Sequence, residues 1–570
     1  MIEKPIIYQL LVRLAGNQND NDKPWGTIEE NGCGKFNDLS NHFLHEITRL
    51  GANHIWLTGV IEHASCTAYP EHNIPADNPL TVKGRAGSPY AIRDYYDVCP
   101  DLAEDTDKRM EEFEALIGRC YDAGLKPIID FVPNHVARQY HSDRQEGLKN
   151  EFGSCDNTDK AFDPGNNFYY IPGMPLEIPP ETRELPHALE ADVQHFEENP
   201  AKATGNDCFS HRPSFNDWYE TVKLNYGIDY LHDRQEHFEP VPDTWHKMLD
   251  ILLFWAGKKV AGFRCDMTEM VPAAFWQWAI SKVRVEHPGM LFIAEIYDPY
   301  QYKKFVDAGF DFLYDKAGLY DTTREVLAGR QPATSITREW QKLDGLDAKM
   351  LRFIENHDEQ RIASTQFTGT ALAGIPAMTL AATMHQGPLM IYFGQELGEK
   401  AEGASGFSGN DGRTSIFDYC SVPAFQKWFN KGHCNHEHLD QEEIKLREFY
   451  MKLFELTKAP VISQGQFYDL IWANPNCHQN PIYSFIRWNK EKLWLVVINF
   501  SNQQTIHCNI CIPEHFWQMT GKAEISKNWK LTGILQKQNP GRLSVQEMQK
   551  NGVPLILPPY SSEILMIETV

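Results

Sequence analysis

VAGFRCDMTE (260–269) is an apolar run that ends in a cluster of polar side chains, among them Asp266. Three other stretches have the same form: KPIIDFVPNH (126–135), MLFIAEIYD (290–298) and MLRFIENHDE (350–359). A strand that is buried on both faces and ends in catalytic-type side chains is typical of the carboxyl face of a parallel barrel. The four stretches therefore predict strands of one parallel sheet.

The segments between these runs favour helices. In DKRMEEFEALIGRCYDAGLK (107–126) the apolar residues recur at helical spacing, and Gly124 stops the pattern directly before the next apolar run. Four more runs are candidate strands: IIYQLLV (6–12), NHIWLTGV (53–60), FDFLY (310–314) and PLMIYF (388–393). Eight strands with helices between them predict an α/β fold, a (β/α)8 TIM barrel.

Two parts of the chain depart from this alternation. A stretch rich in Asn, Asp, Pro and Gly follows the third strand, which predicts an inserted irregular subdomain over 136–225. Beyond the helix-like segment 440–457, short alternating runs such as KLWLVVINF predict an all-β C-terminal domain. The predicted division is a catalytic barrel over 1–135 and 226–458, the insert over 136–225, and a C-terminal β-sandwich over 459–570.

The charge and composition of the chain argue against some classes of binding partner. The 570-residue chain has a formal charge of −23, which repels phosphate backbones and anionic lipid. No run approaches the roughly 20 apolar residues of a membrane span, and the first residues lack the features of a signal peptide. We therefore expect no nucleic-acid or membrane partner and a cytoplasmic location, while a neutral carbohydrate is compatible with these features.

The cysteine and histidine clusters do not predict a metal site. Twelve cysteines are scattered without a repeating spacing, as is typical of reduced thiols in the cytosol. The single CxxC, Cys508 to Cys511, lies in an alternating stretch that predicts a strand. GHCNHEH (432–438) matches no standard zinc spacing and is interpreted as a loop before a helix.

Three carboxylates stand at predicted strand ends. Asp266 and Glu295 follow adjacent predicted strands, and Asp358 follows a later one. Glycoside cleavage with retention needs two carboxyls about 5 to 5.5 Å apart, one as nucleophile and one as acid. Neighbouring strands lie roughly 4.8 Å apart, so this placement can supply that separation.

Four ordered segments resemble the short conserved regions of the alpha-amylase superfamily, glycoside hydrolase family 13. DFVPNH resembles the first region, GFRCDMTEM the second, FIAEIYD the third and FIENHDE the fourth. The resemblance covers roughly the first 450 residues, and the β-rich tail fits the C-terminal domain of that family.

The resemblance implies a role for each acid. Asp266 is similar to the nucleophile that forms the covalent glycosyl-enzyme, Glu295 to the acid that later acts as base, and Asp358 to the third family carboxylate. Arg264, two residues before the nucleophile, is expected to hold Asp266 ionised through charge-assisted hydrogen bonds. Glu295 must start protonated, so the two acids need opposite environments.

The same resemblance implies sugar-binding residues. His135 and His357 match the family histidines that donate to hydroxyls of the sugar being cleaved, and Tyr90 matches the tyrosine that packs against that sugar. The alternative is that both histidines only form structural hydrogen bonds at strand ends and that Tyr90 packs in the core. Asn134 corresponds to a frequent calcium ligand, or serves as a turn former beside Pro133.

The sequence departs from the family pattern at two places. Glu269 and Met270 stand where many alpha-amylases have Lys-His. In TVKLNYG (221–227), Lys223 stands where calcium-dependent members carry Asp, so a ligand is replaced by a repelling charge. We therefore expect no required cofactor, calcium being the one considered. The KLN of this segment resembles the neopullulanase and cyclomaltodextrinase branch.

The predicted activity is hydrolysis of alpha-1,4-glucosidic bonds in maltodextrin or glycogen-like alpha-glucans. A 4-alpha-glucanotransferase would use the same three acids and differ in how well the acceptor subsites hold sugar relative to water. A non-catalytic carbohydrate-binding or partner subunit is the third alternative, and the complete set of acids argues against it.

Overall fold

Eight parallel strands form one sheet in the computed structural model, which describes residues 4–142, 151–403, 405–475, 481–522 and 528–569. In chain order they are β1 (Ile6–Leu11), β2 (His54–Thr58), β3 (Lys126–Phe131), β4 (Gly262–Cys265), β5 (Leu291–Ala294), β6 (Phe312–Tyr314), β7 (Met350–Leu351) and β8 (Leu389–Tyr392).

The sheet closes on itself as a barrel. Each of β1 to β6 pairs with the next strand in the chain, and β1 also pairs with β8. Arg352, directly after β7, bridges to Leu389 of β8: its N–H donates to the Pro388 carbonyl at 3.0 Å, and its carbonyl accepts from Met390 at 2.8 Å. The (β/α)8 prediction is confirmed, and all eight predicted runs contain a barrel strand.

Several strands are shorter than their apolar runs. The run 350–359 contributes only the two residues of β7, because from Arg352 onward the chain becomes irregular. The predicted helix over 107–126 spans Arg109–Asp122, since Gly124 adopts a positive φ of 81° and Lys126 already belongs to β3.

Helices separate the strands and cover the outside of the barrel. They include Asn41–Leu50, Arg109–Asp122, Asp243–Gly257, Ala273–Glu286, Tyr302–Asp307, Asp321–Leu327, Ser335–Lys342, Gly374–Thr383, Pro423–Phe429 and Gln441–Thr457. The last begins with a capping box between Asp440 and Glu443, within the predicted helical segment 440–457.

The barrel interior is a packed core. Alternate side chains of its strands point inward, and together with Tyr320 and Phe353 from the segments after β6 and β7 they form one buried cluster: Ile7, Trp56, Ile128, Ile293, Tyr314, Leu351 and Met390. Residues at the intervening positions, such as Ile55 and Phe263, face the helices instead. Because the inward and the outward side chains are both buried, the strand sequences are continuous apolar runs.

The segment between β3 and the helix Asp243–Gly257 is built from short pieces. The strand His135–Ala137 pairs with Thr221–Lys223, and this pairing joins the two ends of the long connection. Within it, Tyr170–Ile171 pairs with Ala201–Lys202, and a short helix spans Pro186–Glu190.

The C-terminal part is antiparallel. Six strands form one sheet, namely Gln466–Asp469, Ile482–Trp488, Leu493–Asn499, Asn528–Gly533, Gly541–Ser544 and Ser561–Thr569. Ile506–Ile510 pairs with Val553–Leu557 in a second sheet, and a buried cluster that includes Leu495, Val553 and Leu565 lies between the two. The opposite face of the large sheet, with Phe485 and Val496, packs against the barrel core.

Other local predictions are also tested by the structure. Cys508 lies in the strand Ile506–Ile510, and residues 433–440 form a loop before the helix Gln441–Thr457. Within the described ranges the cysteines are free, and no group of three or more His, Cys, Asp or Glu side chains is placed to hold a metal ion. No described helix is long and apolar enough to cross a membrane.

Arg487 ties the C-terminal sheet to the barrel. Its side chain is fully buried and donates to the carbonyls of Ile462, Gly465, Gln466 and Thr383 at 2.7 to 3.1 Å. The Thr383 carbonyl lies at the carboxyl end of the helix Gly374–Thr383, where the helix dipole favours a cation. Burial lowers the pKa of this guanidinium to about 9.

We expect Arg487→Met to lower the free energy of unfolding by about 3 kcal/mol or more, because four carbonyls lose the buried guanidinium group that donates to them. The measurement is urea unfolding followed by fluorescence. Arg542→Met, at an exposed position of the same sheet, is the control. Equal midpoints for the two variants would contradict the role of Arg487.

Candidate active site

A pocket of about 360 Å³ opens at the carboxyl ends of the barrel strands. Asp266 follows β4, Glu295 follows β5, and Asp358 lies on the loop after β7. The lining residues are Lys83, Ser88, Tyr90, His135, Trp218, Glu220, Thr221, Asp266, Met267, Glu295, Tyr297, Asp358, Ile416 and Phe417. Arg264 and His357 are buried behind this surface. The structure therefore brings the seven sequence-predicted site residues together.

Arg264 joins the two principal acids. Its Nη1 donates to Asp266 Oδ1 at 2.7 Å, and its Nη2 forms an ion pair with Glu295 Oε1. The two carboxyls also act on each other: Glu295 lowers the pKa of Asp266, and the charge of Asp266 raises the pKa of Glu295. Parallel register brings these side chains together, because Arg264 pairs with Ile293 and the adjoining positions end both strands at the same level. The arrangement places two carboxyl groups side by side on one buried cation.

Aromatic rings enclose the guanidinium. Its carbon lies 5.3 Å from the ring centre of Trp56, 5.3 Å from that of Tyr90 and 5.6 Å from that of Tyr314. Asp130 approaches from β3, with Oδ1 at 3.4 Å from Nη1 and Oδ2 accepting from Trp56 at 3.0 Å. A cation with 1% exposure is stabilised here by carboxylates and by the ring faces.

The pKa values of all three acids are raised. Burial raises the pKa of Asp266 and of Glu295, and the charge of Arg264 offsets this only in part. Desolvation and the charge of Glu295 raise the pKa of Asp358 to about 8. Arg264 contacts Asp266 as the sequence analysis expected and lowers its pKa, but it contacts Glu295 as well and lowers that pKa too. Their effects on each other have opposite signs, because Glu295 lowers the pKa of Asp266 whereas the charge of Asp266 raises the pKa of Glu295, and this favours the proton on Glu295.

His357 is fixed by a residue that the sequence analysis missed. Gln9 of β1 donates from Nε2 to His357 Nδ1 at 2.7 Å and to Thr58 Oγ1 at 3.1 Å. Burial lowers the pKa of His357, so the ring is neutral and its proton lies on Nε2. That nitrogen is 2.6 Å from Tyr90 Oη and 3.0 Å from Asp358 Oδ2, and the Tyr90 ring stacks on the imidazole.

His135 lies at the side of the pocket formed by the inserted segment. Its ring contacts Trp218, with ring centres 5.2 Å apart, and burial lowers its pKa to about 4. Lys83 and Glu220 also reach this wall and form an ion pair at 2.8 Å. Trp218, Lys83 and Glu220 come from irregular segments, and no sequence pattern singled them out.

Asn134 and Lys223 occupy the place where the family resemblance raises the question of calcium. Lys223 is 2% exposed; its Nζ donates to Asn134 Oδ1 at 2.8 Å and forms an ion pair with Asp207 Oδ1 at 2.5 Å. The oxygens that a calcium ion would need already bind an ammonium group, and the like charge would repel the ion. These residues do not fit a calcium ion.

Comparison with known proteins gives a family match over most of the chain. The model of the family described as "Alpha amylase, catalytic domain" matches residues 25–418. Alpha-amylase 2 of Dictyoglomus thermophilum is 21% identical over 521 residues, covering 88% of this chain and 70% of that protein. The alpha-1,4-glucan:maltose-1-phosphate maltosyltransferase of Cereibacter sphaeroides is 32% identical over 88 residues, and the match spans 15% of each protein.

Solved structures share the whole fold. The crystal structure of an alpha-amylase from Lactobacillus plantarum aligns with a TM-score of 0.59 at 18% identity, covering 99% of this chain and 98% of that one. The debranching enzyme of Nostoc punctiforme aligns with a TM-score of 0.62 at 17% identity, covering 99% and 100%. At these identities the similarity concerns the fold.

We expect removal of divalent ions to leave stability unchanged, because Lys223 supplies the positive charge between Asn134 and Asp207. Thermal unfolding should give the same midpoint in EDTA and in calcium. Lys223→Met should lower that midpoint in both buffers. A loss in EDTA that calcium restores in the unsubstituted protein would contradict this account.

Proposed function

The chain belongs to the alpha-amylase family, and on that premise we propose that it is a retaining glycoside hydrolase that cleaves alpha-1,4-glucosidic bonds in maltodextrin or glycogen-like alpha-glucans. The observation that carries the proposal is the contact of the buried Arg264 with both Asp266 and Glu295. One acid is ionised and the other protonated, which is the starting state of a double displacement.

In the first step Glu295 donates its proton to the glycosidic oxygen while an Asp266 oxygen attacks the anomeric carbon. The bond from that carbon to the glycosidic oxygen breaks, the acceptor sugar leaves as an alcohol, and the glycosyl group stays on Asp266 as an ester. Glu295, now ionised, takes a proton from water as the water oxygen attacks the same carbon. The ester bond breaks and Asp266 is released as the carboxylate.

The surrounding side chains suit binding of the sugar at the point of cleavage. Tyr90 offers a ring face, and His135, His357 and Asp358 offer hydrogen-bonding groups at the pocket surface or directly behind it. Arg264 keeps negative charge on Asp266 stable in a site that is 95% or more buried at both acids.

A 4-alpha-glucanotransferase is the second candidate, because a sugar hydroxyl in place of water would complete the same cycle. Its specific support is the match to a relative named a maltosyltransferase. A binding subunit is less well supported, since the acids and Arg264 form a complete catalytic set. We further propose that no metal cofactor is required, and the free cysteines favour a reducing compartment such as the cytoplasm.

Asp266→Asn should reduce turnover of maltoheptaose at least about a thousandfold, because the variant keeps the shape of the residue and loses the nucleophile. Initial rates of reducing-sugar release measure this loss. Asp159→Asn, at an exposed position, is the matched control. Near-normal rates in Asp266→Asn with an unchanged unfolding midpoint would refute the assignment.

Chromatography of the products from maltoheptaose separates hydrolysis from transfer. The proposal predicts only sugars shorter than seven units at early times, since water completes the cycle. Products longer than seven units would favour the glucanotransferase. An unchanged substrate would contradict both activities.

A further inference from the structure

The loop that carries Glu295 is held by the loop that carries Asp266. After β5 the chain over 295–298 has no regular structure, yet its backbone is fixed. Glu269 Oε2 accepts from the N–H groups of Tyr297 at 3.3 Å and Asp298 at 3.0 Å. Glu269 lies in the short helical turn Thr268–Met270 just after the nucleophile.

The turn also contacts Glu295 itself. The N–H of Met267 donates to Glu295 Oε2 at 2.8 Å, and the N–H of Thr268 donates to the Glu295 carbonyl at 3.1 Å. Met267 adopts a left-handed conformation with φ 43°, which is unfavourable for a side chain of this kind and turns its N–H toward the acid. Strain at this residue indicates that the turn is held in place by its contacts.

Tyr297 completes the arrangement. Its hydroxyl donates to Glu295 Oε1 at 2.7 Å, and its half-buried ring lines the catalytic pocket. Neither Glu269 nor Tyr297 is needed for the two displacement steps as written above. Tyr297 contacts the carboxyl group that must give and take the proton, and Glu269 holds the backbone of the segment that carries Tyr297.

We propose that Tyr297 is a positioning residue for Glu295 and that its hydroxyl sets how readily Glu295 releases its proton. Glu269 acts through Tyr297, because it fixes the backbone of the loop that carries Tyr297. The inference rests on the proposed function, because it concerns the acid of that reaction. A donor on the ionised form of a carboxyl favours that form, so the hydroxyl makes Glu295 a stronger acid.

Other charges face Glu295 from each neighbouring strand end and remain in place when the hydroxyl is removed. They are Arg264 of β4, Asp266 after β4, Asp130 of β3, Asp358 after β7 and Glu269 in the adjoining turn, and the titratable but neutral Tyr314 of β6 lies there as well. Burial and the charge of Asp266 raise the pKa of Glu295, whereas Arg264, Met267 N–H and Tyr297 lower it. Removing Tyr297 Oη therefore moves the pKa of Glu295 upward.

The test is the pH dependence of kcat/KM on maltoheptaose for Tyr297→Phe. The basic limb, where Glu295 loses its proton, should move to higher pH by about 0.5 to 1 unit. At neutral pH kcat should fall by about 3-fold to 10-fold, with KM within about twofold, since the hydroxyl acts on proton transfer rather than on binding. Tyr300→Phe is the control, because Tyr300 lies in the same loop and is 98% exposed.

Glu269 is tested by a pair of variants and a double-mutant cycle. Glu269→Ala should shift the basic limb in the same direction as Tyr297→Phe, whereas Glu269→Gln retains an acceptor for the two N–H groups and should restore the normal profile. The variant with both Glu269→Ala and Tyr297→Phe should be no worse than the more affected single variant.

An unmoved basic limb in Tyr297→Phe, or a shift to lower pH, would overturn the role of Tyr297. Fully additive effects of Tyr297→Phe and Glu269→Ala would overturn the action of Glu269 through Tyr297. Failure of the proposed function would look different, since Asp266→Asn would then remain active. Thermal midpoints within a few degrees of the parent ensure that each profile reports on a folded enzyme.

Discussion

The burial of one guanidinium group organises this molecule. Arg264 lies at the mouth of the barrel with 1% of its side chain exposed, and a charge there is tolerated only because acids and ring faces surround it. Asp266, Glu295 and Asp130 come from three adjacent strands, and Trp56, Tyr90 and Tyr314 contribute rings from three further segments. The contacts with Glu295, Asp130 and the rings exist only where the strand ends meet, so full compensation of the cation depends on the closed barrel.

The remainder of the fold supports that arrangement from outside. Arg352 closes the sheet between β7 and β8, and the strand pairing of His135–Ala137 with Thr221–Lys223 brings the ends of the insert back to the pocket. Lys223 binds the barrel and the insert together through Asn134 and Asp207. An internal ammonium of this kind needs no ion from solution. Arg487 has a similar role between the barrel and the C-terminal sheet, with carbonyl groups as its partners.

The parts that the sequence predicted follow from local pattern. Parallel strands buried on both faces are continuous apolar runs, and their polar ends contain Asp266, Glu295 and Asp358. The contacts of Gln9 with His357, and of Trp218 with His135, depend on which distant segments meet, so no spacing along the chain could reveal them. The same limit explains Arg264: its position two residues before Asp266 predicted one partner, whereas the second is supplied by the neighbouring strand. Asp130 lies in the apolar run 126–135, but the pattern does not single it out, because several polar residues stand near the end of that strand.

The most direct test of the account is capture of the covalent intermediate. A glucosyl fluoride with a second fluorine on the ring slows both displacement steps, so the glycosyl-enzyme should accumulate and be visible by mass spectrometry of the intact protein. The account predicts one added glycosyl group, located by peptide mapping on Asp266, and none in Asp266→Asn. A label on any other residue, or turnover with inversion of the anomeric centre and no label, would contradict it.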